Sequence, residues 1–158
     1  MTPEEQKFLE RAIELSAQGM QDQKGGPFGC VIVKEGKIIG EGCNQVTATN
    51  DPTAHAEIVA IRNACKNLNE FQLNDCDIYT SCEPCPMCLG AIYWARPRKV
   101  IYANTKNDAA SIGFDDQFIY DEIDKPGEHR KIRFIHYPHP AAKKVFEQWE
   151  KMEGKVEY

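Results

Sequence analysis

His55-Ala56-Glu57 and Pro84-Cys85-Pro86-Met87-Cys88 are the two stretches that decide the fold and the chemistry of this chain. His55, Cys85 and Cys88 offer one imidazole and two thiolates, which can hold zinc and leave its fourth position open for water. That open position distinguishes a catalytic zinc from a structural one. Zinc lowers the pKa of its bound water to about 7, and Glu57 would be free to move protons. The two stretches predict an enzyme with one zinc per chain.

The spacing of Cys85 and Cys88 predicts that both thiols lie at the start of a helix. Residues 77–81 are typical of a strand, Cys82 would end it, and Pro86 is typical of a first helical turn. Three positions apart, the two thiols share one helix face, and the helix start stabilises thiolates. An iron–sulfur run or a four-cysteine zinc ribbon would need further cysteines, and none follows Cys88. A redox pair and a pair of packing cysteines remain the alternatives.

His55 and Glu57 are two residues apart, so on a regular helix they point about 200° away from each other. Both reach one metal only if His55 lies in an irregular first turn. Thr53 or Asp51 could cap the helix at that point. Apolar residues at helical spacing follow at Ile58, Ile61, Cys65 and Leu68.

Helices and strands are predicted to alternate along the chain, which indicates an α/β sandwich. Thr2 and Glu5 suit a capping box for a first helix that Gly19 closes, and Gly36 suits a hairpin turn. Because crossover helices join the later strands, these are expected to be parallel. Short helices and loops are expected over 105–128, and a last helix over 141–152. Strands are predicted at residues 28–33, 37–41, 77–81, 99–103 and 131–137.

Length and charge are compatible with a small cytoplasmic enzyme. The chain has 158 residues, of which 42% are hydrophobic, which suits a single domain over 1–158. Seven cysteines without a secretory leader indicate a reducing compartment, so a soluble, cytoplasmic protein is expected. No segment approaches the roughly 20 apolar residues of a membrane span. A net charge of −5 argues against a nucleic-acid partner, although it does not exclude a local basic groove.

The pattern H-x-E followed by P-C-x-x-C is that of zinc deaminases, and the chain resembles the cytidine and deoxycytidylate deaminase superfamily. The resemblance runs from about Phe8 to Tyr158 and is most specific at residues 25–29, 50–57 and 81–96. Gly113-Phe114-Asp115-Asp116 and the terminal Tyr158 resemble the guanine deaminase branch. The resemblance implies a three-layer α/β/α sandwich with a five-stranded mixed sheet. It also implies that the two zinc motifs lie at adjacent helix starts.

The resemblance implies hydrolytic deamination of a free nucleobase, with guanine and water giving xanthine and ammonia. Glu57 would take a proton from the zinc-bound water, deliver it to the ring and help to protonate the leaving amine. Backbone N–H groups of Ala56 and Cys85 would meet the negative charge that develops near the metal. Glu83 is a rival base, but the H-x-E pattern assigns the proton shuttle to Glu57.

Five further side chains are candidates for contact with the substrate, and each has an ordinary structural alternative. Asn44 could hydrogen-bond a purine acceptor, or it could be a turn residue. Phe28 and Trp94 could sandwich the base, or they could belong to the core. Asp116 could accept from the guanine amino group or assist the leaving amine, or it could cap a helix. The resemblance implies that Tyr158 closes the site of a neighbouring subunit.

Pro138-His139-Pro140 predicts a hinge into the last helix, so residues 138–158 are expected to exchange within a homodimer.

Three alternatives to guanine deamination remain. A tRNA adenosine deaminase would predict a basic surface, and a cytosine or riboflavin-pathway deaminase would keep the same zinc chemistry. A structural zinc domain would have no use for Glu57.

Overall fold

Helices and strands alternate along the first 116 residues, as the sequence predicts. The structure is a computed structural model that describes residues 1–158, and these divide into two compact units, Met1–Asp116 and Gln117–Tyr158. The elements of the first unit are α1 (Pro3–Gln21), β1 (Gly29–Lys34), β2 (Lys37–Cys43), α2 (Val46–Thr49), α3 (Ala56–Leu68), β3 (Cys76–Cys82), α4 (Pro86–Ala95), β4 (Lys99–Asn104) and α5 (Lys106–Ser111).

The first helix starts as predicted and ends later than predicted. The Thr2 hydroxyl accepts from the Glu5 amide at 3.1 Å, and the Glu5 carboxylate accepts from the Thr2 amide at 2.7 Å, which completes the capping box. Gly19 does not close α1, which continues to Gln21. A Cβ at Gly19 would lie 2.7 Å from the Cβ of Cys43. The glycine therefore allows close packing of α1 against the end of β2.

The sheet is mixed and has the strand order β2-β1-β3-β4. Glu35 and Gly36 form the turn between β1 and β2 with φ angles of 50° and 73°, the two positive values that a type I′ hairpin turn requires. β1 pairs antiparallel with both β2 and β3. β3 pairs parallel with β4, because α4 crosses over between them.

Helices cover both faces of the sheet. On one face, Ala12 of α1 packs against Val31, Val33 and Tyr79. On the other face, buried alanines of α3 and the apolar side of α4 pack against alternate residues of β1 and β3. The residues of this second core are Cys30, Ile32, Ala56, Ala60, Ala64, Leu73, Cys76, Ile78, Ile92 and Ala95. This packing fixes the starts of α3 and α4 on the same face of the sheet.

The prediction of a five-stranded sheet is wrong, because the sheet has four strands, with β2 and β4 at its two edges. Residues 131–137 form no strand, although their composition favours one. A strand needs a partner for its backbone, whereas here the Phe134 amide donates to the Gly127 carbonyl at 3.0 Å. The side chains of Ile132, Ile135 and Tyr137 are 77%, 77% and 80% exposed.

The second unit contains two helices and one short 3-10 turn. These are α6 (Gln117–Ile123), the turn Gly127–His129 and α7 (Pro140–Lys151). The short elements before residue 128 and the last helix agree with the sequence prediction. His139 caps α7 by accepting from the Ala141 amide at 3.2 Å. No helix of the chain combines the length and the apolar composition needed to cross a membrane.

Candidate active site

His55 and Cys85 occupy equivalent places, because each is the N-cap residue of its helix. His55 precedes α3 with φ −68° and ψ 156°, and Cys85 precedes α4 with φ −66° and ψ 168°. The expectation that Thr53 or Asp51 caps this helix is therefore wrong: the Asp51 carboxylate accepts from the Thr53 amide and hydroxyl before the helix begins. The backbone of His55 is extended rather than helical. On a regular helix its side chain would point away from that of Glu57, but this constraint does not apply to an N-cap residue.

The structure brings His55, Cys85 and Cys88 together. Nδ1 of His55 lies 3.6 Å from Sγ of Cys85 and 3.5 Å from Sγ of Cys88, and the three ligand atoms all lie within 4.8 Å of one another. A tetrahedral zinc with bonds of about 2.0 Å to nitrogen and about 2.3 Å to sulfur would separate these atoms by about 3.6 Å. The donor set and its spacing both fit zinc.

Glu57 lies beside the three candidate ligands and is not one of them. Its Oε2 accepts from the thiol of Cys88 at 3.4 Å, and its surface is only 6% exposed. Burial raises the pKa of this carboxyl above its usual value. A carboxyl whose pKa is raised holds a proton more readily, which suits it to general acid–base chemistry.

The pKa values of the two thiols in this group are shifted in opposite directions. The thiol of Cys88, ahead of the imidazole of His55, lowers the pKa of Cys85 to about 4. The contact with Cys85, together with burial, raises the pKa of Cys88. The hydrogen bond between His55 and the sulfur of Cys85 raises the pKa of His55. A bound metal cation would displace the protons that these groups share, because its ligands must be deprotonated.

Two neighbours of the ligand motif have other partners. The thiol of Cys82 contacts the carbonyl of Thr105 at 3.6 Å, and burial raises its pKa to about 11. Glu83, the rival base, accepts from the backbone amide of Lys106 at 3.0 Å through its Oε2. Glu83 therefore joins the end of β3 to the start of α5.

Asn44 is 5% exposed, and its orientation is fixed by two backbone amides. Its Oδ1 accepts from Gly26 at 3.3 Å and from Val46 at 3.1 Å. The Nδ2 group is the end that remains to donate, so Asn44 can recognise a hydrogen-bond acceptor. A Cβ at Gly25 would lie 2.1 Å from Oδ1 of Asn44. The side chain of Asn44 can therefore take this position only because residue 25 is a glycine. Sequence reasoning missed this role of Gly25.

Phe28 is half-buried, and its ring contacts Phe114 edge-on, with ring centroids 4.9 Å apart and an interplanar angle of 89°. Sequence reasoning named Phe114 only within the segment 113–116 and gave it no role of its own. The signal available for it was its place beside Gly113, whose φ of +94° turns the chain. Asp116 follows two residues later. Burial, followed by the negative charge of Cys85, raises the pKa of Asp116.

The other predicted contacts occupy different settings. Ala56 is fully buried in the first turn of α3, where backbone N–H groups have no acceptor within the helix. Trp94 is 64% exposed on α4. Tyr158 belongs to the second unit and is 70% exposed. The roles of Trp94 and Tyr158 in substrate binding stay predictions.

Comparison with known sequences places this arrangement in a family. The cytidine and deoxycytidylate deaminase zinc-binding region matches residues 2–104. A guanine deaminase of Bacillus subtilis (strain 168) is 58% identical over 151 residues, which are 96% of this chain and 97% of that protein. A tRNA-specific adenosine deaminase of Aquifex aeolicus (strain VF5) is 34% identical over 123 residues, which are 78% of this chain and 79% of that protein.

Solved structures agree with the sequence match. The X-ray structure of guanine deaminase from Bacillus subtilis superposes with a TM-score of 0.95 at 56% identity, covering 100% of this chain and 99% of that one. A crystal structure of the protein NE0047 in complex with 2,6-diaminopurine has a TM-score of 0.68 at 32% identity, covering 73% of this chain and 64% of that one. The chain therefore belongs to the cytidine and deoxycytidylate deaminase family of zinc-binding proteins.

Proposed function

We propose that this protein deaminates guanine hydrolytically, so that guanine and water give xanthine and ammonia. The observation that carries the proposal is the group of His55, Cys85 and Cys88, with the buried carboxyl of Glu57 3.4 Å from Cys88. The guanine deaminase of Bacillus subtilis, at 58% identity over 96% of this chain, supports guanine as the substrate.

The chain's own groups supply the proton transfers. A zinc ion held by His55, Cys85 and Cys88 would make a water molecule acidic enough to act as a nucleophile near neutral pH. Glu57 takes the proton of that water, delivers it to the ring nitrogen beside the reacting carbon and then helps to protonate the leaving amine. The backbone N–H groups of Ala56 and Cys85, at the starts of α3 and α4, would meet the charge that develops during attack.

Phe28, Asn44 and Asp116, which we propose line the substrate pocket, carry groups that suit guanine. Asn44 offers a donor, because its oxygen is already engaged by two amides. The half-buried ring of Phe28 offers an apolar surface for a flat base, and the carboxylate of Asp116 offers an acceptor for an amino group. A purine in the complex of the protein NE0047 supports a small purine ligand for this fold.

We propose in addition that the protein is a homodimer that exchanges residues 138–158. Two features support exchange. The sheet ends at β4, and the second unit exposes Val145, Phe146 and Trp149 on α7 by 58%, 79% and 44%. In the proposed dimer, Tyr158 of one chain covers the pocket of the other, where Trp94 contributes an aromatic wall. Exchange of a terminal element is a low-cost route to a symmetric dimer.

A cytoplasmic location belongs to the same proposal. All seven cysteines are free, which suits a reducing compartment.

The proposed reaction is tested by its products. Zinc-loaded protein should convert guanine to xanthine and release one ammonia for each xanthine, followed by absorbance and by an ammonia assay. Protein stripped with a chelator should release neither product, and zinc should restore both. Loss of guanine without ammonia release would reject hydrolytic deamination.

A further inference from the structure

The contact between Phe28 and Phe114 joins the proposed base-binding ring to a distant segment of the chain. The two rings meet at an interplanar angle of 89° with centroids 4.9 Å apart, which is the favourable edge-to-face arrangement of an aromatic pair. Phe28 immediately precedes β1, whereas Phe114 follows α5. Phe28 also packs against the second apolar core, and the contact with Phe114 adds a constraint on its ring from a different part of the chain.

Gly26 is the point at which both rings and Asn44 meet. A Cβ there would lie 2.9 Å from Cζ of Phe114 and 3.0 Å from Cε2 of Phe28. The amide of the same glycine donates to Oδ1 of Asn44 at 3.3 Å. A shift of either ring would therefore disturb the backbone of Gly26, whose amide orients the side chain of Asn44.

The segment that carries Phe114 is anchored at its other end by Glu83. The Glu83 carboxylate accepts from the Lys106 amide at 3.0 Å, and the Glu83 amide donates to the Asn104 carbonyl at 2.8 Å. The Phe114 amide then donates to the Ala109 carbonyl at 3.0 Å. The segment from α5 to Asp116 is thus attached beside the ligand motif at one end and against Phe28 at the other.

Core packing does not account for Phe114. Its side chain is 45% exposed, and it is absent from both apolar cores of the first unit. The contact that the structure shows for the ring of Phe114 is the one with Phe28.

We propose that Phe114 is a positioning residue that holds the ring of Phe28 against the base and sets the place of Asp116. The inference deepens the proposed function and rests on it, because it concerns how the same pocket recognises guanine. Phe114 acts through Phe28 and is not one of the three candidate metal ligands, so its loss should affect binding of the base more than the proton transfers.

The test compares Phe114→Ala and Phe114→Leu with the control Phe71→Ala. Phe71 is a suitable control because it is 54% exposed and lies beyond the C-terminal end of α3, whose opposite end is capped by His55. In zinc-loaded protein, Phe114→Ala should raise KM for guanine about tenfold while kcat changes less than about threefold, as expected for lost substrate binding. The KM of Phe114→Leu should lie between those of Phe114→Ala and the parent. The KM of Phe71→Ala should equal that of the parent.

A second comparison separates positioning from general damage. On a Phe28→Leu background, Phe114→Ala should add little, because the ring that it positions is already gone. Zinc content should equal that of the parent in every variant. A KM within twofold of the parent in Phe114→Ala, or an undiminished effect on the Phe28→Leu background, overturns the proposal. If Phe114→Ala does not fold, the same two criteria apply to Phe114→Leu.

Hydrogen exchange distinguishes failure of this proposal from failure of the proposed function. If the parent does not turn over guanine, the proposed function fails, and the positioning role is then judged on the backbone amides of Gly26 and Phe28, both of which are hydrogen-bonded in the structure. These amides should exchange faster in Phe114→Ala than in the parent and in Phe71→Ala. Equal exchange in all three proteins overturns the positioning role, whatever the substrate.

Discussion

Oε2 of Glu57 lies 3.4 Å from Sγ of Cys88, although the two residues belong to different helices. The contact arises because α3 and α4 both begin on one face of the sheet, with His55 and Cys85 as their N-caps. The carboxyl that we propose as the proton shuttle is thus held against a candidate metal ligand without belonging to the group of three.

This contact predicts that Glu57→Gln separates metal binding from chemistry. The variant should retain zinc, because the three candidate ligands are unchanged. It should lose at least about 10²-fold in kcat, the usual contribution of a general acid–base group. Zinc analysis and guanine turnover on the same sample check this. A variant within a factor of two of the parent would remove Glu57 from the mechanism.

The ligand assignment predicts different outcomes for three neighbouring cysteines. Cys85→Ser and Cys88→Ser should each lose zinc and activity, because two thiolates and one imidazole supply the site. Cys82→Ser is the control, since that thiol contacts the Thr105 carbonyl, and it should keep about one zinc per chain. Metal analysis of the purified variants checks this. Full zinc occupancy in either of the first two variants would show that the ligands are wrongly assigned.

The close approach of Gly25 to Asn44 predicts that replacing Gly25 by alanine impairs recognition of guanine. A Cβ at Gly25 would lie 2.1 Å from Oδ1 of Asn44 and must displace it. Gly25→Ala should lower kcat/KM for guanine by about 10- to 100-fold, the scale that a displacement of about 1 Å produces. Zinc content should not change.

Gly90→Ala is the matched control for this change. A Cβ at Gly90 meets nothing within 4 Å, and the residue lies inside α4. Replacing a helical glycine by alanine should stabilise the fold by roughly 0.5–1 kcal/mol. Urea unfolding and guanine kinetics measure both variants. Equal kinetics for Gly25→Ala and the parent would mean that Asn44 does not contact the base.

The proposed exchange of the C-terminal segment predicts complementation between two inactive chains. Deleting residues 156–158 should leave zinc and dimer intact and should reduce guanine activity at least about tenfold, the scale of one lost closing contact. After subunit exchange with Glu57→Gln, about a quarter of the sites should have both an intact Glu57 and a donated tail. Activity is measured together with heterodimer formation. A mixture that stays inactive despite forming heterodimers would place the tail in its own chain's site.

The sequence predicts the elements around the site well because their signals are local. The capping box of Thr2 and Glu5, the positive φ of Gly36 and Pro86 at a helix start each depend on residues close in sequence. The family pattern predicts that His55, Cys85 and Cys88 form one site. The structure brings them together because His55 and Cys85 are the N-caps of two neighbouring helices.

The features that the sequence does not predict depend on distant partners. Residues 131–137 have the composition of a strand, but a strand also needs an edge with which to pair. Gly19 resembles a helix end, yet its absent Cβ makes room for Cys43. The roles of Gly25 and Phe114 likewise come from contacts with Asn44 and Phe28, residues far from each of them in sequence.

The selectivity of zinc-loaded protein for its substrate tests the central claim most directly. The measurement is ammonia release from guanine, adenine, cytosine, their nucleosides and a tRNA anticodon hairpin, each as kcat/KM. Guanine should exceed every other substrate by at least about tenfold, because a pocket built to pair with one base edge leaves polar groups unpaired with another. Preferred deamination of adenosine in the hairpin would contradict the account and establish a tRNA deaminase instead.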